Sequence, residues 1–278
     1  MPVENRLVKK GFAREVVGLR LWEPQDNQTI DELRALWARH PVLVFRRQAL
    51  SEDELADFSA LFGPLERVVR TEWASPVRPE VGLISNLKDA QAKPIGGLGD
   101  GEIQWHSDQS YMLNPATGAM LYALELPSSG GNTMFSNMYM AYDAVPPSLK
   151  EKLKGKKALH IHEYKRAEKA DLSGDISNIP HHYHPVFITH PDTGRKTLFV
   201  DRLMTSRVEG VDARESDAIL EQLYAIGERR EFIYEHVWQL GDFLMWDNRC
   251  TIHARTDFPK DEPRLLRRCT VEGEPLHE

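Results

Sequence analysis

Residues 118–137 read GAMLYALELPSSGGNTMFSN. Two short apolar runs, GAMLYALEL and NTMFSN, are separated by PSSGG, a cluster of residues that terminate strands. Runs of this length bounded by Gly, Pro, Ser and Asn predict β-strands. The texture recurs on both sides of the quoted stretch, in VGLISN, KALHIHEY, HPVFITH, KTLFVD, FIYEHVWQ, DFLMWDN and RLLRRCTVE. Many short strands in this arrangement predict a β-sandwich or jelly-roll barrel.

The first 64 residues are different. TIDELRALWARH has Thr29 and Glu32 at capping-box spacing and places Ile30, Leu33, Leu36 and Trp37 on one stripe. SEDELADFSALFG repeats the device with Ser51 and Glu54 and closes at Gly63. PVLVF between them predicts a buried strand. Further helices are expected in PPSLKEKLKG and ARESDAILEQLYAIG, each ending on glycine. The expected fold is therefore mainly β with flanking helices, as one domain over 1–278 with a helix-rich N-terminal quarter. KDAQAKPIGGLGDG at 88–101 is glycine-rich and without period, which suggests a lid loop within 67–101. Its GGLGDG lacks the Lys and Ser/Thr of a phosphate loop.

Composition sets the bounds. The chain has 278 residues, 41% of them hydrophobic and 28% charged, with a net charge of −7. A mildly acidic chain offers no basic face for nucleic acid. The N-terminus, MPVENRLVKKGFAREVVG, has no apolar core of a secretory signal, and no run of 18 apolar residues predicts a membrane span. Cys250 and Cys269 sit in apolar stretches, as buried thiols of a cytoplasmic protein would.

WHSD at 105–108 raises the question of chemistry. If the segment is extended, His106 and Asp108 share a face and Trp105 packs on the other. A His-x-Asp triplet is weak evidence alone. His253, in WDNRCTIHART, lies 147 residues further on, after a strong apolar strand and a polar turn. Two imidazoles and one carboxylate form the facial triad that binds Fe(II) and leaves positions for substrate and O₂. Arg264 and Arg268 follow His253 by 11 and 15 residues, and strand alternation sets them on one face with Leu266. Two inward arginines are costly unless each meets an anion, such as a dicarboxylate or an anionic substrate. The other histidines, His160, His162, His181, His182, His184 and His190, lack a matching carboxylate pattern and read as structural.

WHSDQSY, LPSSGGNTMFSNMYMAYDAVP, HPVFITHPDTGRKTLFV and WDNRCTIH followed by Arg264 resemble the taurine dioxygenase and 2,4-dichlorophenoxyacetate dioxygenase family. The resemblance runs in order from about residue 10 to the C-terminus. It implies a double-stranded β-helix, a jelly roll of cupin-like form, and dependence on Fe(II), 2-oxoglutarate and O₂. It implies His106, Asp108 and His253 as iron ligands. It implies Thr133 and Arg264 on the distal carboxylate of 2-oxoglutarate, and Arg268 near the substrate anion or the C1 carboxylate. Asp108 fills the position a halide would need, so hydroxylation is expected, with succinate and CO₂ as coproducts. The expected partners are a small anionic substrate and further copies of the chain, as a homodimer or homotetramer. Two other readings fit parts of the pattern: an O₂-independent metal hydrolase or isomerase on a similar barrel, and a binding module with a vestigial site.

Overall fold

A computed structural model describes residues 3–98, 103–162, 172 and 174–278. The N-terminal elements are β1 (Asn5–Lys9), β2 (Ala13–Val16), α1 (Asn27–Arg39), β3 (Val42–Phe45), α2 (Glu52–Ala60) and β4 (Gly82–Ser85). Next come β5 (Ile103–His106), β6 (Gly118–Glu125), β7 (Thr133–Asn137), α3 (Met138–Ala144), α4 (Pro147–Leu153) and β8 (Lys157–Ile161). The remainder is β9 (His181–Pro185), β10 (Phe187–Thr189), β11 (Lys196–Leu198), β12 (Thr205–Val208), α5 (Ala213–Gly227), β13 (Ile233–His236), β14 (Phe243–Asp247), β15 (Thr251–Arg255) and β16 (Leu265–Val271).

Two sheets face each other. The larger has the order β1-β2-β3-β14-β6-β16-β4 and the smaller β13-β7-β15-β5. The chain passes between them repeatedly: β5 to β6, β6 to β7, β14 to β15, β15 to β16. This alternation is the jelly roll expected from the sequence. Side chains on β14 show how the sheet divides two cores. Phe243 and Met245 pack with Leu33 and Trp37 of α1 and Leu55 and Phe58 of α2. Leu244 and Trp246 point between the sheets, against Phe135, Leu121 and Leu266. Phe58 meets Phe243 edge-on at 5.4 Å and 87°, and burying one such ring contributes roughly 1.5–3 kcal/mol. A third core joins α3, α4 and α5 to β8, β11 and β12.

The Ser51–Glu54 capping box is present in full. The Thr29–Glu32 pair is not one. Helix α1 starts earlier, with Asp26 as N-cap accepting from the Thr29 amide, while Glu32 accepts from the Val3 amide. An aspartate three residues upstream outcompetes the threonine as cap. Helix α3 was not expected. It has only seven residues and is set by Asn137, whose side chain accepts from the amides of Tyr139 and Met140. The described part of the expected lid is packed on β4: Gly97 donates to Leu83 O at 2.9 Å and Ile95 to Leu87 O at 3.1 Å. A Cβ on Gly96 or Gly97 would lie 2.7 Å from Leu83 O or from the Trp73 ring, so these glycines serve close packing. Residues 99–101 of that loop lie outside the described residues, as do 163–164 of KALHIHEY.

Candidate metal and cosubstrate site

Strand β15 lies between β7 and β5 in the smaller sheet. His253 is opposite His106 on one side and Phe135 on the other. The two imidazole centroids are 4.1 Å apart. Trp105 packs among partly buried residues of the third core, on the other side of β5 as expected. Asp108 arrives differently from the sequence expectation. Strand β5 ends at His106, and Asp108 sits in the turn that follows, just ahead of Gln109 at φ +55, with its carboxylate toward the histidines.

The result is a convergent donor set. Asp108 Oδ1 lies 3.8 Å from Nε2 of His106 and 3.8 Å from Nε2 of His253. Nδ1 of His106 faces Gln104 O at 2.8 Å. With a proton on that nitrogen, the Nε2 lone pair points at the shared centre. All the ligand atoms fall within 4.8 Å of one another. Neighbouring ligands on an ion with bonds of about 2.1 Å stand about 3 Å apart, so small side-chain rotations close the set. Burial, with His106 beside it, pushes the His253 pKa down to about 3. A neutral imidazole is the form that ligates a metal. Burial acts to raise the Asp108 pKa, but Arg268 and the two histidines outweigh it and hold the carboxyl below its usual range.

Arg268 does not sit alone. Its Nη2 is 2.9 Å from Asp108 Oδ2, and its Nε donates to Thr270 Oγ1. Leu266 is buried between the sheets while Cys269 and Val271 join the helix-side core, so the expected alternation holds from 266 onward. The pairing of β16 with β6 shifts between Leu265 and Leu266. The skipped residue is Leu124 of β6, and Arg264, just before β16, reaches the β6–β7 loop. Its Nε and Nη2 donate to Gly131 O at 3.3 and 3.1 Å, and its amide is held by Asn86 Oδ1. Gly131, at φ +65, lets the guanidinium approach closely, since a Cβ there would be 3.1 Å from Arg264 Nε. Arg264 is 2% exposed, and its Nη1 has no hydrogen-bond partner. Burial, and then the charge of Arg255, lowers its pKa to about 9. Thr133 is buried in β7 directly opposite Arg255, and its Oγ1 accepts from Trp238 Nε1 at 3.1 Å.

Residues 4–270 match the family model described as "Taurine catabolism dioxygenase TauD, TfdA family". The chain belongs to that family. It is a 2-oxoglutarate-dependent dioxygenase, with His106, Asp108 and His253 as the metal site. It is 34% identical over 272 residues to an alpha-ketoglutarate-dependent 2,4-dichlorophenoxyacetate dioxygenase of Cupriavidus pinatubonensis, covering 94% of each chain. It is 33% identical to a (S)-phenoxypropionate/alpha-ketoglutarate-dioxygenase of Sphingobium herbicidovorans, covering 96% of this chain and 94% of that one. Among solved structures, AAD-2 in complex with Mn(II) and N-oxalylglycine superposes with a TM-score of 0.82 at 28% identity, over 99% of each chain.

Two neighbours of Thr133 and Arg264 escaped the sequence reading. Arg255 lies two residues beyond His253 on β15, hence on the same face, and strand alternation could have signalled it. Trp238 follows β13 and carries no local signal of its contact. Of the other histidines, His160, His184 and His190 are buried, and His184 Nε2 faces Met112 O at 2.8 Å. Among the described residues, one further group has metal-ligating types in reach, His190, Asp247 and Cys250.

Proposed function

We propose that the enzyme hydroxylates a small organic anion, a carboxylate, sulfonate, sulfate or aryloxyalkanoate, with Fe(II), 2-oxoglutarate and O₂, releasing succinate and CO₂. The observation that carries this reading is Arg264, a buried guanidinium with no carboxylate partner among the described residues and one donor unmet. Such a charge is tolerated where an anionic ligand completes it. Arg264, with the Thr133 hydroxyl, is assigned to the distal carboxylate of 2-oxoglutarate. A hydrolase or binding module without that cosubstrate leaves Arg264 unexplained. Fe(II), when bound by His106, Asp108 and His253, supplies O₂ activation. The protein's part is to keep the His253 imidazole neutral, hold Asp108 ionised through Arg268, and orient the cosubstrate from its far end. Arg268, next to Asp108 and 25% exposed in its side chain, is placed to meet an anionic group arriving at the metal. The two named relatives act on aryloxyalkanoates, which supports an acid of that kind.

We also assign 1–278 to one catalytic unit, a homodimer or homotetramer, of the cytoplasm. The two buried free thiols suit a reducing compartment, and light scattering tests the assembly. The deciding experiment is succinate formation under air with Fe(II), ascorbate, 2-oxoglutarate and a panel of those anions. Substrate-dependent succinate with a hydroxylated, unchlorinated product is expected; turnover without O₂ overturns the reading. Arg268→Ala should weaken substrate affinity more than 2-oxoglutarate affinity. A loss confined to 2-oxoglutarate moves Arg268 to the cosubstrate.

A further inference from the structure

The turn that brings Asp108 to the histidines has little regular structure of its own. It begins after β5, contains a non-glycine residue with φ +55, and is closed by the Ser110 amide on Ser107 O at 3.4 Å and the Met112 amide on Gln109 O at 2.8 Å. Its shape depends on what grips it from outside. Ser107 Oγ donates to Asn248 O at 2.9 Å, which ties it to the β14–β15 turn. Gln109 Nε2 is held by the Glu66 carboxylate. The third grip comes from Asp201, in the segment between β11 and β12.

Asp201 is 1% exposed. Its Oδ2 accepts from Ser110 Oγ at 3.2 Å, and its Oδ1 accepts from the Met204 amide at 2.6 Å. Burial raises its pKa above the ordinary carboxylate value, and the Met204 and Ser107 amides pull the other way. The one carboxylate receives a donor from the far end of the metal-ligand turn and another from its own segment. Among the described residues, the charged or titratable groups facing it include His106, His160, with Nδ1 at 3.9 Å, and Tyr224. The Asp201 segment is itself braced: its amide donates to Thr205 Oγ1 at 2.9 Å, and Tyr224 OH of α5 donates to Thr205 O at 2.5 Å. A buried carboxylate is an expensive choice for a purely mechanical tie, which a serine or asparagine could make. It is suited to holding several N–H and O–H groups at once.

We propose that Asp201 is a positioning residue for the metal site, fixing the Ser107–Ser110 turn so that Asp108 Oδ1 faces both histidine Nε2 atoms. This rests on His106, Asp108 and His253 being the metal site. It acts through the turn and touches neither metal nor substrate. Asparagine at 201 keeps the volume but replaces one acceptor by a donor, so one of the gripping N–H or O–H groups loses its partner. Groups that orient a metal ligand change metal affinity by about 10–100-fold when removed.

The test is titration of the purified metal-free chain with Mn(II), read by electron paramagnetic resonance, for wild type, Asp201→Asn, Ser110→Ala and Tyr122→Phe. Tyr122→Phe removes buried hydrogen bonds to Leu50 and Gln48 on the helix side of the large sheet, away from the ligand turn and from Asp201, and so reports what lost stability alone does. Asp201→Asn should raise the Mn(II) dissociation constant by about 10-fold or more and broaden the Mn(II) spectrum. Ser110→Ala should raise it roughly threefold. Tyr122→Phe should leave it unchanged while lowering the melting temperature. Wild-type affinity in Asp201→Asn, or an equal loss in Tyr122→Phe, overturns the proposal. If Asp201→Asn does not fold, Ser110→Ala decides by the same criterion. Failure of the wild type to bind Mn(II) overturns the metal-site reading itself, and this proposal with it.

Discussion

Two clusters in this molecule contain buried histidine and aspartate beside strand β15, and their contrast separates a site from a scaffold. At its centre, His106, Asp108 and His253 turn two nitrogens toward one oxygen, which lies 3.8 Å from each. Neither distance is a hydrogen bond, so the lone pairs converge on shared space. At the β14–β15 turn, His190, Asp247 and Cys250 offer metal-binding types at similar spacing. There, every group is already engaged. His190 Nε2 lies 2.9 Å from Asp247 Oδ2, and His190 Nδ1 accepts from the Asp192 amide. Arg249 donates to both oxygens of Asp247. Cys250 is buried, which raises its thiol pKa far above the ordinary value. The second cluster ties the 190–195 turn to the sheet. Residue types are alike; what differs is whether their acceptors have donors.

The largest expected effect comes from removing the carboxylate of each cluster. Asp108→Ala should lower succinate formation on the order of 10³-fold or more, with the melting temperature held within a few degrees. Asp247→Ala should cost about 3 kcal/mol of stability by removing the partner of buried His190 and of half-buried Arg249, which keeps only Asp192, while the folded fraction keeps its Mn(II) affinity. Urea unfolding and metal titration of both variants check this; a stability loss at Asp108 that matches Asp247 would erase the distinction.

A smaller effect is expected at the arginines. Arg264→Met removes a buried charge that lacks a carboxylate partner among the described residues. It should raise the KM for 2-oxoglutarate on the order of 10²-fold without lowering the urea midpoint. Arg249→Met should do the reverse, lowering the midpoint and sparing the KM. Steady-state kinetics beside urea melts give the comparison.

The smallest effect is in the pH dependence of the metal-free protein. The folded pKa of His253, about 3, lies below its ordinary 6.5. Its contribution to stability is complete above pH 6.5 and is lost as pH falls toward 3, because the unfolded chain takes up the proton first. Asp247 is also held below its ordinary 3.8, chiefly by Arg249 against the opposing effect of burial. Its contribution therefore lasts down to about pH 4 and is lost only below. Between pH 6.5 and 4.5, metal-free His253→Ala should show a stability slope shallower by up to about 1.4 kcal/mol per pH unit. An unchanged slope would mean that His253 takes up its proton in the folded protein as readily as in the unfolded chain.

Much of this was legible in the chain itself. GAMLYALEL and NTMFSN became β6 and β7, and SEDELADFSA became α2 with its capping box, because these signals are local. His106, Asp108 and His253 were legible through their spacing together with the family resemblance. Helix α3 was missed because seven residues are too few to show a period. Asp108 was expected on a strand face and comes from a turn, since nothing local announces that β5 stops at His106.

What the sequence by itself determined is the inventory: which stretches are strand or helix, and which side chains can ligate, pair or donate. Only the tertiary structure decided which of those groups are satisfied. His190 meets Asp247 across 57 residues and Ser110 meets Asp201 across 91, through sheet pairings that no local pattern encodes. A histidine whose acceptor has a donor is scaffold, and one whose lone pair faces another ligand is a site. Burial makes that difference costly to leave unresolved, and the long-range packing of β5, β7 and β15 settles it.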